Sequence, residues 1–234
     1  MKTELMKNSN QTRLPRWAAF TLVELLVVIA IMAILAALVF PAIKMAKEKG
    51  LRAKAQTELK QIETAIDSYK AKYGHYPPDN PGIPALNQLF YELHGTTNMN
   101  GTVFQTLDRR EQIPVASVST VFGAGVAGFV NCSRAGNDEL AAGMNFLPGL
   151  KAGQYGFASN SVRFAVLTTS VPWPKNLGPV IAGWPDELNP IRYNSSSPTN
   201  NPKSYDLWVN IFVGGKTNRI SNWSAQPEFV NVLP

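Results

Sequence analysis

Residues 18–43 read AAFTLVELLVVIAIMAILAALVFPAI, and their reading decides the fold. From Leu25 to Ile43 no side chain carries a charge. A helix needs about 20 apolar residues to cross a bilayer, so this stretch and its approach from Phe20 predict a transmembrane helix over 20–43. A removable secretory signal has a shorter apolar core, roughly 7 to 15 residues, and does not fit. Glu24 stands alone at the edge of the run. An ionised side chain deep in a membrane costs about 2.5–3.5 kcal/mol on insertion scales, so this carboxylate calls for a partner. Inside the run, Ala30, Ala33 and Ala37 recur at helical spacing and present a small-residue face suited to close helix approach. Pro41 falls within the same helix, where it deletes a hydrogen bond and predicts a kink.

The charge of the chain is arranged around this segment. Formal net charge is +6 over 234 residues and the pI about 9.4. Lys2, Lys7, Arg13 and Arg16 precede the apolar run; Lys44, Lys47, Lys49, Arg52 and Lys54 follow it. These are membrane flanks rather than a nucleic-acid groove, and no nucleic-acid partner is expected. Basic residues flank the run nearly equally, so their count does not choose an orientation. Cys132 is the only cysteine, which excludes an internal disulfide and any multi-cysteine zinc site.

Beyond Lys44 the helical period continues in soluble composition. Leu51, Ala55, Leu59, Ile62, Ile66, Tyr69 and Tyr73 recur at steps of three or four, one apolar stripe on a polar helix. Gly74 and then Pro77-Pro78 end it. The pattern predicts a single helix over 20–73, apolar over 20–43 and amphipathic over 44–73, with a head domain packed on the stripe.

Taken together, the basic leader, the small residues before Phe20, the Phe-Thr-Leu-Val-Glu sequence and the unbroken apolar helix closely resemble the amino-terminal signal of type IV prepilins and type II secretion pseudopilins. The resemblance implies a leader over 1–19, cut by a prepilin peptidase between Ala19 and Phe20, and N-methylation of Phe20. It implies that Glu24 pairs with the new amine, its own or a neighbour's, and sets the register of an incoming subunit. Pro41 stands where such helices commonly carry a proline. One departure is Ala19, where the family normally has glycine. The implied fold is α+β and pilin-like: a long N-terminal helix packed on a small antiparallel β head. The implied partners are the prepilin peptidase, copies of this chain and other pseudopilins in a helical filament, and inner-membrane assembly machinery. The implied location is the cytoplasmic membrane, single-pass, with a periplasmic head.

The remainder, 74–234, reads as that head. YGHYPPDNPGIP, residues 73–84, has loop composition. PALNQLFYELHG, residues 84–95, predicts a short second helix with Leu86, Leu89, Phe90 and Leu93 on one face. TVFQTL (102–107), VASVSTVF (115–122) and VRFAVLTTSV (162–171) read as strands, within an extended middle insertion over about 95–180. SYDLWVNIFVGGKTNRISNW, residues 204–223, predicts two strands about a Gly214-Gly215 turn. It is similar to the end of type II secretion major pseudopilins at Tyr205, Asp206, Leu207, Gly214, Ile220 and Trp223. That family often holds calcium in its Gly-rich loop. Here the loop is GGKTNR, with Lys216 and Arg219 in place of carboxylates, so no metal is expected and one of these cations is expected to staple the loop.

Signals of catalysis are weak. GAGVAG (123–128) fits G-x-G-x-x-G but opens no helix and has no βαβ context, so a flexible loop is expected. His75 and His94 read as surface or capping residues, with no metal spacing around them. Cys132 lacks a nucleophile signature, and Asp138-Glu139 and Asp186-Glu187 are adjacent pairs, poorly placed to act as acid and base on one atom. Trp173, Trp184, Trp208 and Trp223 are expected in the core of the head. No enzyme and no cofactor are expected. The function implied by the resemblance is a structural filament subunit, most nearly a type II secretion pseudopilin. A type IV pilin, a minor pseudopilin and, in another class, a single-pass membrane protein with a ligand-binding head are the alternatives.

Overall fold

A computed structural model describes residues 20–133, 142–159 and 161–231. The expected leader, including Ala19, and the Asp138-Glu139 pair lie outside the described residues. Helix α1 runs Leu22–Tyr73 without a break, matching the predicted helix to within two residues at its start. The chain divides into two compact units, 1–46 and 47–234.

In the first unit the described residues are the apolar half of α1. It is long and apolar enough to cross a membrane, and none of its hydrophobic window is buried. Leu22, Leu25, Ile31, Ile34, Leu38 and Phe40 are all exposed. Pro41 sits inside the helix, where it has no N–H to offer the carbonyl of Ala37.

The second unit is built on the other half of α1. Ala55, Leu59, Ile62, Ala65, Ile66 and Tyr69 are buried, with Leu51 and Tyr73 packed at the edges. This is the stripe read from the period. Gly74 closes the helix at φ +81°, donating to the Lys70 carbonyl at 2.8 Å. Three small sheets pack around the stripe. The first has the order β3-β2-β1-β4 (Gln112–Pro114, Val103–Thr106, Thr96–Met99, Cys132–Ser133), antiparallel except for β1 with β4. The second is the hairpin of β5 and β6, Tyr155–Ser159 and Arg163–Leu167. The third has the order β10-β9-β8-β7 (Glu228–Val230, Lys216–Ser221, Asp206–Val213, Arg192–Asn194), wholly antiparallel.

Three expectations are corrected here. VASVSTVF is not a strand but helix α3, Val115–Phe122. Its β-branched composition suggests strand, yet Val118, Val121 and Phe122 are buried at the helical step, Pro114 sets the entry and Gly123, at φ +114°, sets the exit. The second helix, α2, is only Leu89–His94, because the Asn87 amide takes over the start of the segment. It donates to the carbonyls of Pro84 and Ile191, at 2.8 Å each, and accepts from the Leu89 N–H at 3.1 Å, holding 84–88 in a turn. All six residues of α2 are buried, so His94 is a core residue and not a surface one. Its Nδ1 lies 3.0 Å from the Phe90 carbonyl, and burial presses its pKa down. His75 is exposed, as expected. Trp173 and Trp184 are buried, whereas Trp208 and Trp223 are half-buried and meet edge to face at 5.8 Å. GAGVAG forms a loop between α3 and β4.

Candidate assembly interface

At the start of α1 the side chains of Thr21 and Glu24 bond reciprocally. Thr21 Oγ1 accepts the Glu24 N–H at 3.2 Å, and Glu24 Oε2 accepts the Thr21 N–H and the Thr21 hydroxyl, both at 2.8 Å. This is a capping box, with Thr21 as the N-cap and Glu24 three residues on. Sequence reasoning singled out Glu24 for its charge and missed its local partner, although T-x-x-E before an apolar run is the signature. The carboxylate lies in the first turn of the helix, at the positive end of its dipole. Both Thr21 donors fall on one oxygen, and Oε1 takes part in no hydrogen bond among the described residues. Phe20 is exposed just ahead of the box. The start of the helix thus presents one acceptor oxygen without a partner among the described residues, on a side chain four positions after Phe20.

Two buried carboxylates tie the amphipathic half of α1 to the segments just before β4 and just after β6. Glu92 on α2 is fully buried; its Oε2 accepts from the Tyr69 hydroxyl at 3.0 Å and the Asn131 N–H at 2.9 Å, its Oε1 from the Val130 N–H at 2.8 Å. Burial dominates and holds its carboxyl above the usual carboxylate range, against the pull of these donors. Glu58 on α1 accepts from Thr169 Oγ1 at 2.7 Å and the Ser170 N–H at 3.0 Å, and is bonded to Ser170 Oγ. Neither carboxylate was singled out in the sequence, where both look like the polar face of a helix.

The β8–β9 turn falls at Gly214-Gly215 as expected, but its staple is a different residue. Gly214 and Gly215 form a two-residue turn, both with positive φ (67° and 76°), closed by the pairing of Val213 with Lys216. Lys216 and Arg219 lie on β9, and neither staples the turn. That part falls to Asn218, whose Nδ2 donates to the carbonyls of Val213 (3.2 Å) and Lys216 (2.8 Å) while its Oδ1 accepts from Arg52 Nε (3.0 Å). The Asp206 carboxylate is filled by four N–H donors: Thr199, Asn200 main chain and side chain, and Asn201. Calcium takes six to eight oxygen ligands, and these residues do not fit it. Among the described residues no three His, Cys, Asp or Glu side chains cluster as a metal site. Adding calcium to the purified chain is expected to leave its melting temperature unchanged; a calcium-dependent rise would overturn this.

Residues 18–40 match the family model for the prokaryotic N-terminal methylation motif, and 42–106 that for type II secretion system (T2SS), protein G. Among curated proteins the chain is similar to type II secretion system core protein G of Escherichia coli K12, 43% identical over 67 residues (29% of this chain, 46% of the relative). The corresponding proteins of Aeromonas hydrophila (42% over 71 residues; 30% and 50%) and Vibrio cholerae serotype O1 (38% over 74; 32% and 51%) are also similar. The chain spans about half the length of the curated relatives it matches. No solved structure matches it significantly. Over residues 18–106, from the methylation motif through the long helix and the first turns, the chain is therefore similar to type II secretion protein G.

Proposed function

We propose that the chain is a structural subunit of a pilin-like filament, a pseudopilin of a type II secretion system, cut before Phe20 by a prepilin peptidase and methylated there. The carrying observation is the start of α1: an exposed apolar helix whose one carboxylate is oriented by its own capping box with an oxygen to spare. Apolar surface leaves lipid for neighbouring helices, which the Ala30, Ala33 and Ala37 face lets approach closely. Glu24 Oε1 receives the Phe20 amine of an adjoining subunit as a charge-assisted hydrogen bond, which fixes where each helix stops. Pro41 bends the helix as it leaves the apolar stretch. Residues 1–19 are the leader, the head is periplasmic, and 95–180 is an insertion in it. The assembly partners are other pseudopilins and the inner-membrane machinery.

The test is the mature amino terminus, determined by mass spectrometry on protein from native membranes. A terminal peptide starting at Phe20, about 14 Da heavier than its unmodified form, is expected. An intact Met1 would mean that Ala19 blocks the cut, leaving a permanent membrane anchor.

A further inference from the structure

The outer face of the third sheet carries chemistry that filament assembly does not use. Alternation along β8 sends Leu207, Val209, Ile211 and Val213 into the core and leaves Trp208, Asn210 and Phe212 on the other face. The register sets Arg192 on β7 opposite Trp208, and Arg219 on β9 opposite Asn210. Two guanidinium groups therefore flank one patch of β8. Residues 82–85, Trp173 and the 180–181 segment roof that patch into a cavity of about 360 Å³, a size typical of small-molecule sites.

Four side-chain polar atoms of the residues lining this cavity are unpaired. Arg192 Nη1, Arg219 Nε, Trp173 Nε1 and Asn210 Oδ1 are all closed off from bulk solvent and have no hydrogen-bond partner among the described residues. A half-turn of the Asn210 amide would present its Nδ2 instead. Neither arginine belongs to any of the ion pairs of the described residues. Glu228 stands opposite Arg219 on β10 without forming one. Burial first, and then the neighbouring Arg219 charge, press the Arg192 guanidinium below its usual value. Two like charges held together with unused donors are costly, and only a counter-anion removes both costs.

We infer that this cavity binds an oxyanion carried on a flat apolar group, the head held by the two arginines and the Trp173 N–H, the body lying between the Trp173 and Trp208 indoles. The planar guanidinium fork suits both carboxylate and phosphate, and the two head groups share this chemistry.

Phenyl phosphate, benzoate and neutral phenol would be titrated into the full chain in detergent, with tryptophan fluorescence and melting temperature as readouts. At least one of the two anions is expected to saturate the fluorescence change and raise the melting temperature, while phenol does neither; the tighter anion identifies the head group. Arg192→Gln and Arg219→Gln are each expected to weaken that anion about ten- to a hundred-fold, the size of a lost charge-assisted hydrogen bond. Arg163→Gln, an exposed arginine outside the cavity, is expected to change nothing. If Arg192→Gln fails to fold, Arg219→Gln decides. Failure of both anions to saturate, or equal affinity in the arginine variants, would overturn the site. The outcome does not depend on whether the chain forms filaments.

Discussion

Glu92→Ala is expected to destabilise the head by about 3–5 kcal/mol at neutral pH, the largest loss from any single substitution considered. The cost comes from what the change leaves behind. The Tyr69 hydroxyl and the N–H groups of Val130 and Asn131 all donate to this carboxylate inside the core. Each buried donor left without a partner costs about 1–3 kcal/mol. Glu92→Gln makes a graded comparison. Both carboxylate oxygens face N–H donors, so whichever way the new amide turns, its NH2 meets a donor, and a loss of about 1–2 kcal/mol is expected. Tryptophan fluorescence during urea unfolding of the full chain measures both, and equal stability of wild type and Glu92→Ala would refute the account. Because burial raises the folded carboxyl above its unfolded value, the folded chain keeps its proton to higher pH. This carboxyl's contribution is therefore fully present below the ordinary carboxylate pKa and declines as pH rises through the raised one. The gap between wild type and Glu92→Ala should narrow in that direction.

Glu24→Ala, on the filament proposal, is expected to cut assembly at least tenfold while the protein still enters the membrane and is still cut before Phe20. A charge-assisted hydrogen bond contributes about 1.5–3 kcal/mol, and the loss recurs at every subunit added. The change also removes half of the capping box, worth about 1 kcal/mol in itself. Thr21→Ala separates the two effects: it removes the hydroxyl of the box but spares the charge, and should lower assembly far less. Sedimentation of sheared filaments, with the membrane fraction counted alongside, gives the ratio. Normal filaments from Glu24→Ala would remove the pairing from the mechanism.

Periodicity made both halves of α1 legible, because an uncharged run and a stripe at steps of three and four have few other solutions. The β8–β9 hairpin was legible for a similar reason: two glycines between alternating segments admit few turns. α3 was misread because residues 115–122 offer β-branched composition and helical spacing at once, and the deciding contacts, Val118 and Phe122 against the core, are long-range. Glu58 and Glu92 were missed because a buried carboxylate differs from a solvated one only through its donors, and these lie 23 to 112 residues away. The arginine cavity is hidden for the same reason. Arg192 and Arg219 share a face only once three strands are in register, and no spacing in the chain announces it.

The bond from Arg52 to Asn218 joins residues 166 positions apart. A ribosome adding about 5–20 residues per second needs on the order of ten to thirty seconds to lay down the chain between them. For that interval the stripe from Ala55 to Tyr69 has emerged without the strands that finish covering it. On the membrane-anchored reading the apolar start of α1 finds lipid at once; the stripe has to wait. A factor that holds the uncovered stripe during synthesis is therefore expected to raise this chain's yield.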